Sequence, residues 1–197
     1  MLTKEQSYPE QTHKEQIYTV KEFEHLLRQP ENHKRLLELI DGEVVEKMPT
    51  EEHGYLAGLI VTAISNFLET HRIGIAAVEA RHRLPNDEVN ARLPDVSFRR
   101  AKHPLVKEGS VPQMPDLAVE IRSTNDTIQK MHDTAAYYIA NGSRLVWLVF
   151  PAKRYVEVYR PDEEEEIIFG SDVLRGYDVL SGFELPVARL FGVPMVE

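Results

Sequence analysis

Along Pro115-Asp116-Leu117-Ala118-Val119-Glu120-Ile121-Arg122-Ser123 apolar and polar positions alternate. A strand here carries Leu117, Val119 and Ile121 on one face and Asp116, Ala118, Glu120 and Arg122 on the other. The alternation recurs from Leu93 to Arg99, where Val96 and Phe98 oppose Asp95, Ser97 and Arg99. Leu145 to Phe150 is apolar throughout, the pattern of a strand covered on both faces, and Tyr155 to Arg160 alternates as its neighbour would. Ile73 to Leu84 reads as a further strand, separated from 93–99 by the turn residues Pro85-Asn86-Asp87-Glu88.

Helical spacing marks three other segments. Thr19-Val20-Lys21-Glu22 has the spacing of a capping box, with Val20, Phe23, Leu26 and Leu27 as the apolar stripe behind it. Tyr55 to Thr70, capped from Thr50 with Glu51 and Glu52 in the first turn, shows an apolar face wide enough to lie deep against a sheet. From Asn125 or Asp126 as cap, Ile128, Met131, Ala135, Tyr138 and Ile139 recur until Asn141-Gly142 ends the run. Asp41-Gly42 predicts a hairpin with arms near 36–40 and 43–48, stopped by Pro49. Residues 101–115 read as a loop, Glu163 to Glu166 as a solvated turn, and 167–191 as short strands and loops.

With 197 residues, 42% hydrophobic and 28% charged, the chain can bury one sizeable core. The expected organisation is a polar arm over 1–18 and one domain over 19–197. The absence of cysteine excludes disulfides and a thiolate zinc site, and the eight histidines never fall at metal-ligand spacing with an acid. No leader and no membrane-length apolar run is visible, so the expectation is a cytoplasmic protein without membrane contact. A formal net charge of −9 argues against coating nucleic acid through bulk electrostatics, although a local basic stripe can still grip phosphate. There is no glycine-rich phosphate loop and no Gly-x-Ser-x-Gly elbow, which removes nucleotide-triphosphate and serine-hydrolase chemistry.

Two consecutive strands, each with acids on one face, suggest a site. Glu120 and Arg122 share a face two residues apart, a carboxylate and a guanidinium that could hold a divalent metal and a phosphate side by side. The plainer alternatives are a wet sheet face, or a structural ion pair in which Arg122 neutralises Glu120.

Glu38-Leu39-Ile40-Asp41-Gly42-Glu43, His53 after Met48-Pro49, Pro94-Asp95-Val96, Pro115 to Ser123, Tyr138 with Asn141-Gly142, and Trp147-Leu148-Val149 occur in an order that resembles the Uma-two family within the PD-(D/E)XK nuclease superfamily. The resemblance spans roughly 19–190. It implies an α/β, restriction endonuclease-like fold, a mixed central β-sheet flanked by α-helices. The implied activity is a Mg²⁺- or Mn²⁺-dependent endonuclease (hydrolase) acting on DNA phosphodiester bonds.

That superfamily brings an acid on one strand, and an acid and a lysine two apart on the next, to a metal. Asp116 is about 13 Å from Glu120 along one strand at about 3.3 Å per residue, too far to share an ion, so Asp95 is the better first acid. Asp116 instead caps the strand entrance or braces the loop. The resemblance thus assigns the metal to Asp95, Glu120 and the Ile121 carbonyl, adds Glu38 as a third acid, and puts Arg122 where the lysine is expected. Arginine cannot take a proton but can clamp a phosphate with two parallel hydrogen bonds. A lysine expected on the following helix is replaced by Thr134, with Lys130 one turn earlier as its substitute, and Phe150 stands where an Asp is common. His53, at a helix N-terminus suited to an anion, and Gln129 complete the candidate substrate contacts. Tyr137, Tyr138 and Trp147 sit on core patterns and are read as packing. The rival reading is a scaffold that binds nucleic acid or a protein partner without cutting. A homodimer is expected on symmetry, because two-strand cleavage suits a two-fold pair.

Overall fold

The elements are, in chain order, α1 (Val20–Leu27), β1 (Leu36–Ile40), β2 (Glu43–Lys47), α2 (Glu51–Thr70), β3 (Gly74–Val78), β4 (Val96–Arg100), β5 (Leu117–Ile121), α3 (Ile128–Ala140), β6 (Leu145–Phe150), β7 (Tyr155–Tyr159), β8 (Glu166–Phe169), β9 (Val173–Arg175), β10 (Glu184–Pro186) and α4 (Val187–Phe191). They come from a computed structural model that describes residues 16–101 and 104–192. Most of the expected polar arm, 1–15, lies outside the described residues. Its end does not hang free, because the Tyr18 N–H donates to the Gly42 carbonyl at 2.8 Å.

Six strands form one mixed sheet in the order β3-β4-β5-β6-β7-β8. Only β5 and β6 run parallel, joined by the α3 crossover; every other neighbouring pair is antiparallel. Helix α2 and the β9–β10–α4 segment cover one face over Val119, Ile121, Trp147 and Val149, while α3 covers the other over Ala118, Val146 and Leu148. The second face of β5 is therefore no wet surface: Ala118 is fully buried and Glu120 is 7% exposed. Buried Glu157 ties α3 to β7, with His132 Nε2 at 3.0 Å and the Tyr159 hydroxyl donating at 2.9 Å.

The β1–β2 hairpin stands apart as a two-stranded sheet and packs on α1 through Leu37, Leu39, Val20 and Phe23. Its turn needs positive φ at both central residues, and Asp41 (49°) and Gly42 (85°) supply it. The capping box of α1 forms as its spacing demands.

Several boundaries move. Helix α2 starts four residues before Tyr55, directly after the Thr50 cap, so His53 lies in its first turn. Helix α3 is capped by Thr127, whose hydroxyl accepts from the Lys130 N–H at 3.1 Å, and not by Asn125 or Asp126. The Asp126 carboxylate is taken by the Ser123 N–H and by Lys130 Nζ. The strand expected over Ile73–Leu84 stops at Val78, where Glu79 turns to positive φ. Glu166 belongs to β8 and pairs with Arg160, while its other oxygen accepts from the Tyr177 hydroxyl.

Gly74 marks a close approach of β3 to β4, since a Cβ there would press into the Phe98 ring and the Arg99 carbonyl. Gly74→Ala is expected to cost roughly 1–3 kcal/mol by overpacking, read as a lower urea midpoint. An unchanged midpoint would show that the two strands can part at no cost.

Candidate active site

The site is built where β4 meets β5. Their antiparallel register pairs Val96 with Val119 and Ser97 with Ala118, and one step further places Asp95 opposite Glu120. The Asp95 N–H donates to the Val119 carbonyl at 3.1 Å, continuing the ladder. Pro94 before Asp95 keeps Leu93 extended, which delivers the acid at the strand entrance. Asp95 is 3% exposed and Glu120 7%.

Two buried carboxylates this close require a cation, and the β1–β2 hairpin supplies it. Lys47, the last residue of β2, donates from Nζ to Asp95 Oδ1 at 2.6 Å, to Glu120 Oε2 at 2.8 Å and to the Leu93 carbonyl at 2.9 Å. Asp95 Oδ2 accepts from the Ile121 N–H at 2.6 Å and faces His53 Nε2 at 3.0 Å. The remaining oxygen, Glu120 Oε1, accepts from the Tyr138 hydroxyl of α3 at 2.9 Å. Glu38 is buried on β1 behind this group, where its Oε2 accepts from the Leu93 N–H at 3.4 Å.

The electrostatics follow from that packing. Burial pushes Glu120 up to about 7; Lys47 pulls the other way, and the charges of Asp95 and Glu38 add to the rise. Burial also works against Asp95, but Lys47 and then His53 hold its carboxyl below the usual range. For Lys47 burial is overcome by Glu120, Asp95 and Glu38, which raise its ammonium above the ordinary value, so it is a fixed charge and not a proton acceptor. His53 is likewise raised, its burial outweighed by the bond to Asp95. Burial first, and then Glu120, push the Tyr138 phenol well up, which keeps it a donor.

Sequence reasoning brought Asp95, Glu120, Glu38 and His53 into one region, and they do converge. Arg122 does not join them. It lies one residue past the end of β5, one pleat beyond Glu120, and its side chain is held by the loop before α3, where Nε donates to the Asp126 carbonyl at 3.0 Å. Among the described residues the ion pair of Glu120 is with Lys47 and none is with Arg122. Gln129 and Lys130 face outward from the start of α3, bonded to Asp133 and Asp126 at 2.8 and 2.9 Å. Neither reaches the carboxylates, because that side of the helix turns from the sheet. Ile121 enters through its N–H. Asp116 accepts from the Arg100 N–H at 2.8 Å, bracing the far end of β4.

Lys47 and the hydroxyl of Tyr138 were the residues missed. A signal for Lys47 existed: by strand alternation it shares a hairpin face with Val45, the register partner of Glu38.

Among the described residues no group of three or more His, Asp or Glu side chains could hold a metal ion. The two-carboxylate pair nevertheless suits a Mg²⁺-type ion, which is bound through one or two carboxylates while keeping several waters. Both oxygens already converge on one cation, the Lys47 ammonium.

Removing that ammonium tests the arrangement. Lys47→Met is expected to lose about 3–5 kcal/mol in EDTA, the cost of breaking a buried pair, and to recover part of it in excess Mg²⁺ by mass action. Thermal melts with and without Mg²⁺ read this, and a variant as stable as the parent in EDTA would show that the carboxylates need no cation.

The pH dependence has a defined sign. Because the folded-state value of Glu120 rises from 4.5 to about 7, its stabilising contribution is complete below pH 4.5 and lost as pH climbs through about 7. It amounts to on the order of 3 kcal/mol at about 1.4 kcal/mol per unit. His53, also raised, acts in the same sense above 6.5, whereas depressed Asp95 contributes above 3.8 and loses its effect as pH falls. Buried His82, pushed down to about 4 by desolvation, works the other way as pH falls below 6.5, so the comparison between proteins carries the test: metal-free parent should lose more stability between pH 5 and pH 8 than Glu120→Gln. Equal slopes in the two proteins would remove Glu120 as the source.

No curated relative matches the chain. A solved structure described as "a putative nuclease belonging to DUF820" from Anabaena variabilis is similar, with a TM-score of 0.74 and 25% identity over 88% of this chain and 97% of that one. The family model Uma2, described as "Putative restriction endonuclease", matches residues 20–188. With nearly the whole described fold inside that match, the chain belongs to the Uma2 family of restriction endonuclease-like proteins.

Proposed function

We propose that the protein is a Mg²⁺-dependent endonuclease that hydrolyses DNA phosphodiester bonds at the Asp95–Glu120 pair. The observation that carries this reading is the convergence of one oxygen from each acid, on adjacent strands, upon a single cation position. Asp95 and Glu120 would hold the ion, which supplies a more acidic bound water and positive charge against the phosphate.

The chain's own groups supply the rest. Lys47, charged across the working pH range, swings from the carboxylates toward the phosphoryl oxygens and offsets the negative charge that develops there. The Ile121 N–H and His53 fix the orientation of Asp95, and Tyr138 fixes that of Glu120. Glu38 adds, behind Glu120 and Asp95, to the negative charge that keeps the lysine protonated. Arg122, one pleat beyond Glu120 and bonded through Nε to the Asp126 carbonyl, holds a neighbouring phosphate and plays no part in proton transfer.

A second reading is favoured by one specific feature: all four oxygens of Asp95 and Glu120 already have protein partners. A scaffold that binds nucleic acid without cutting would look the same. Plasmid cleavage in Mg²⁺ or Mn²⁺ separates the two. Asp95→Ala and Glu120→Ala are each expected to slow cleavage by at least about a hundredfold. Binding without turnover in any divalent ion would select the scaffold, and unchanged cleavage in both variants would move the chemistry elsewhere.

A further inference from the structure

The sheet continues beyond α3, and what it exposes there is aromatic. The parallel register of β5 and β6 pairs Ile121 with Val149, and its next step sets Arg122 beside Phe150, where the Arg122 N–H donates to the Val149 carbonyl at 2.9 Å. Phe150 pairs with Tyr155 across β6–β7, and Tyr155 with Phe169 across β7–β8. Arg122, Phe150, Tyr155 and Phe169 therefore form one row across the sheet. Because Arg122 is two residues past Glu120, the row lies on the face that carries Glu120, one pleat further toward the sheet's end.

Exposure grows along it. Phe150 is buried, its ring stacked on Tyr155 at 4.6 Å between centroids. Phe169 is 60% exposed, and Ile167, one pleat behind it, is 56% exposed. Ordinary surface composition does not require two large apolar groups side by side on an uncovered edge strand. The row ends about 14 Å from β5, three strand spacings of about 4.8 Å.

At its other end the row opens into a cleft of about 230 Å³ lined by Arg122, Lys153, Ser123, Thr124, Phe150 and Glu52 among others. Only Nε of Arg122 is engaged; among the described residues its two Nη groups donate to no protein acceptor, and Lys153 Nζ has no carboxylate partner. Two cations and two hydroxyls against the single acid Glu52 make the cleft a seat for a phosphate. The acidic run of Glu163–Glu165 stands at the opposite end of β8, four or more residues from Phe169, about 13 Å at the least; the nearer acids are engaged, Asp172 accepting from the Phe169 N–H at 3.2 Å and Glu157 from the Tyr155 hydroxyl at 3.4 Å.

We propose that this row binds a single polynucleotide strand, with one phosphate in the Arg122–Lys153 cleft and unpaired bases stacked on Tyr155 and Phe169. Base faces stack on aromatic rings whatever their sequence, and a duplex, whose bases are already stacked inside, cannot offer them. The proposal deepens the nuclease reading by naming the substrate as one with an unpaired segment, and it rests on that reading only for the cleavage step, not for binding. The basic cleft at one end of the row and continuity with the candidate catalytic site favour this occupant over a second copy of the chain.

Fluorescence anisotropy in EDTA tests it without cleavage, using labelled oligothymidylate, oligouridylate and a duplex of equal length. The full chain is expected to bind the single strands more tightly than the duplex, and Phe169→Ala to weaken single-strand binding by about tenfold while leaving the duplex unchanged, as loss of one stacked base requires. Tyr155→Phe, which keeps the ring, should retain binding where Tyr155→Ala loses it, and melting curves confirm that each variant is folded. Equal affinity for duplex and single strand, or no change in Phe169→Ala, overturns the proposal. So does sedimentation showing a dimer that Phe169→Ala converts to monomer, since the row would then cover a second copy. Cleavage by Asp95→Ala bears on the catalytic reading alone, and anisotropy in EDTA on this one alone.

Discussion

Two carboxylates buried on neighbouring strands cannot both be ionised unless positive charge lies between them. That constraint organises this molecule. It explains why the small β1–β2 hairpin, which has its own sheet and its own cluster with α1, is pinned to the main sheet through Lys47. The two remaining carboxylate oxygens also have partners, Asp95 Oδ2 from α2 and the β5 backbone and Glu120 Oε1 from α3.

The cost of such a site is borne by the layers around it. Helix α2 buries Ile60 and Ile64 against one face of the sheet, and α3 buries Met131 and Ala135 against the other. With both faces covered, the carboxylates sit in surroundings where a lost partner is expensive and an electrostatic interaction is strong. The group holding Asp95 and Glu120 in place is also a group that a substrate and an ion would have to rearrange, chiefly by moving Lys47. Its four-carbon stem makes it the mobile member, while the carboxylates are fixed by strand register.

At the other margin of the sheet the layers stop. The α3 footprint reaches β7 through His132 and Glu157 but leaves Ile167 and Phe169 of β8 uncovered. One end of a single pleated row thus carries the half-buried Arg122 guanidinium at a cleft, and the other is open and aromatic. The sheet's period of two places both on the same face.

By itself the sequence determined whatever depends on neighbours in the chain. The Thr19–Glu22 box starts α1, Asp41-Gly42 turns the hairpin, Asn141-Gly142 ends α3, and unbroken apolarity marks β6, because propensity, capping and alternation act over a few residues. Alternation even aimed Asp95 and Glu120 at a common face. Which cation would stand between them was not local information. Lys47 and Glu120 are 73 residues apart, and Arg122, the nearer candidate, sits one pleat beyond Glu120 with its Nε taken by the Asp126 carbonyl. Tyr138 reads as core on its own helix, and only the docking of α3 on the sheet turns its hydroxyl into a partner for Glu120. The tertiary structure decided the chemistry of the site because charge compensation inside a protein is settled by distance in space, and the sequence records only distance along the chain.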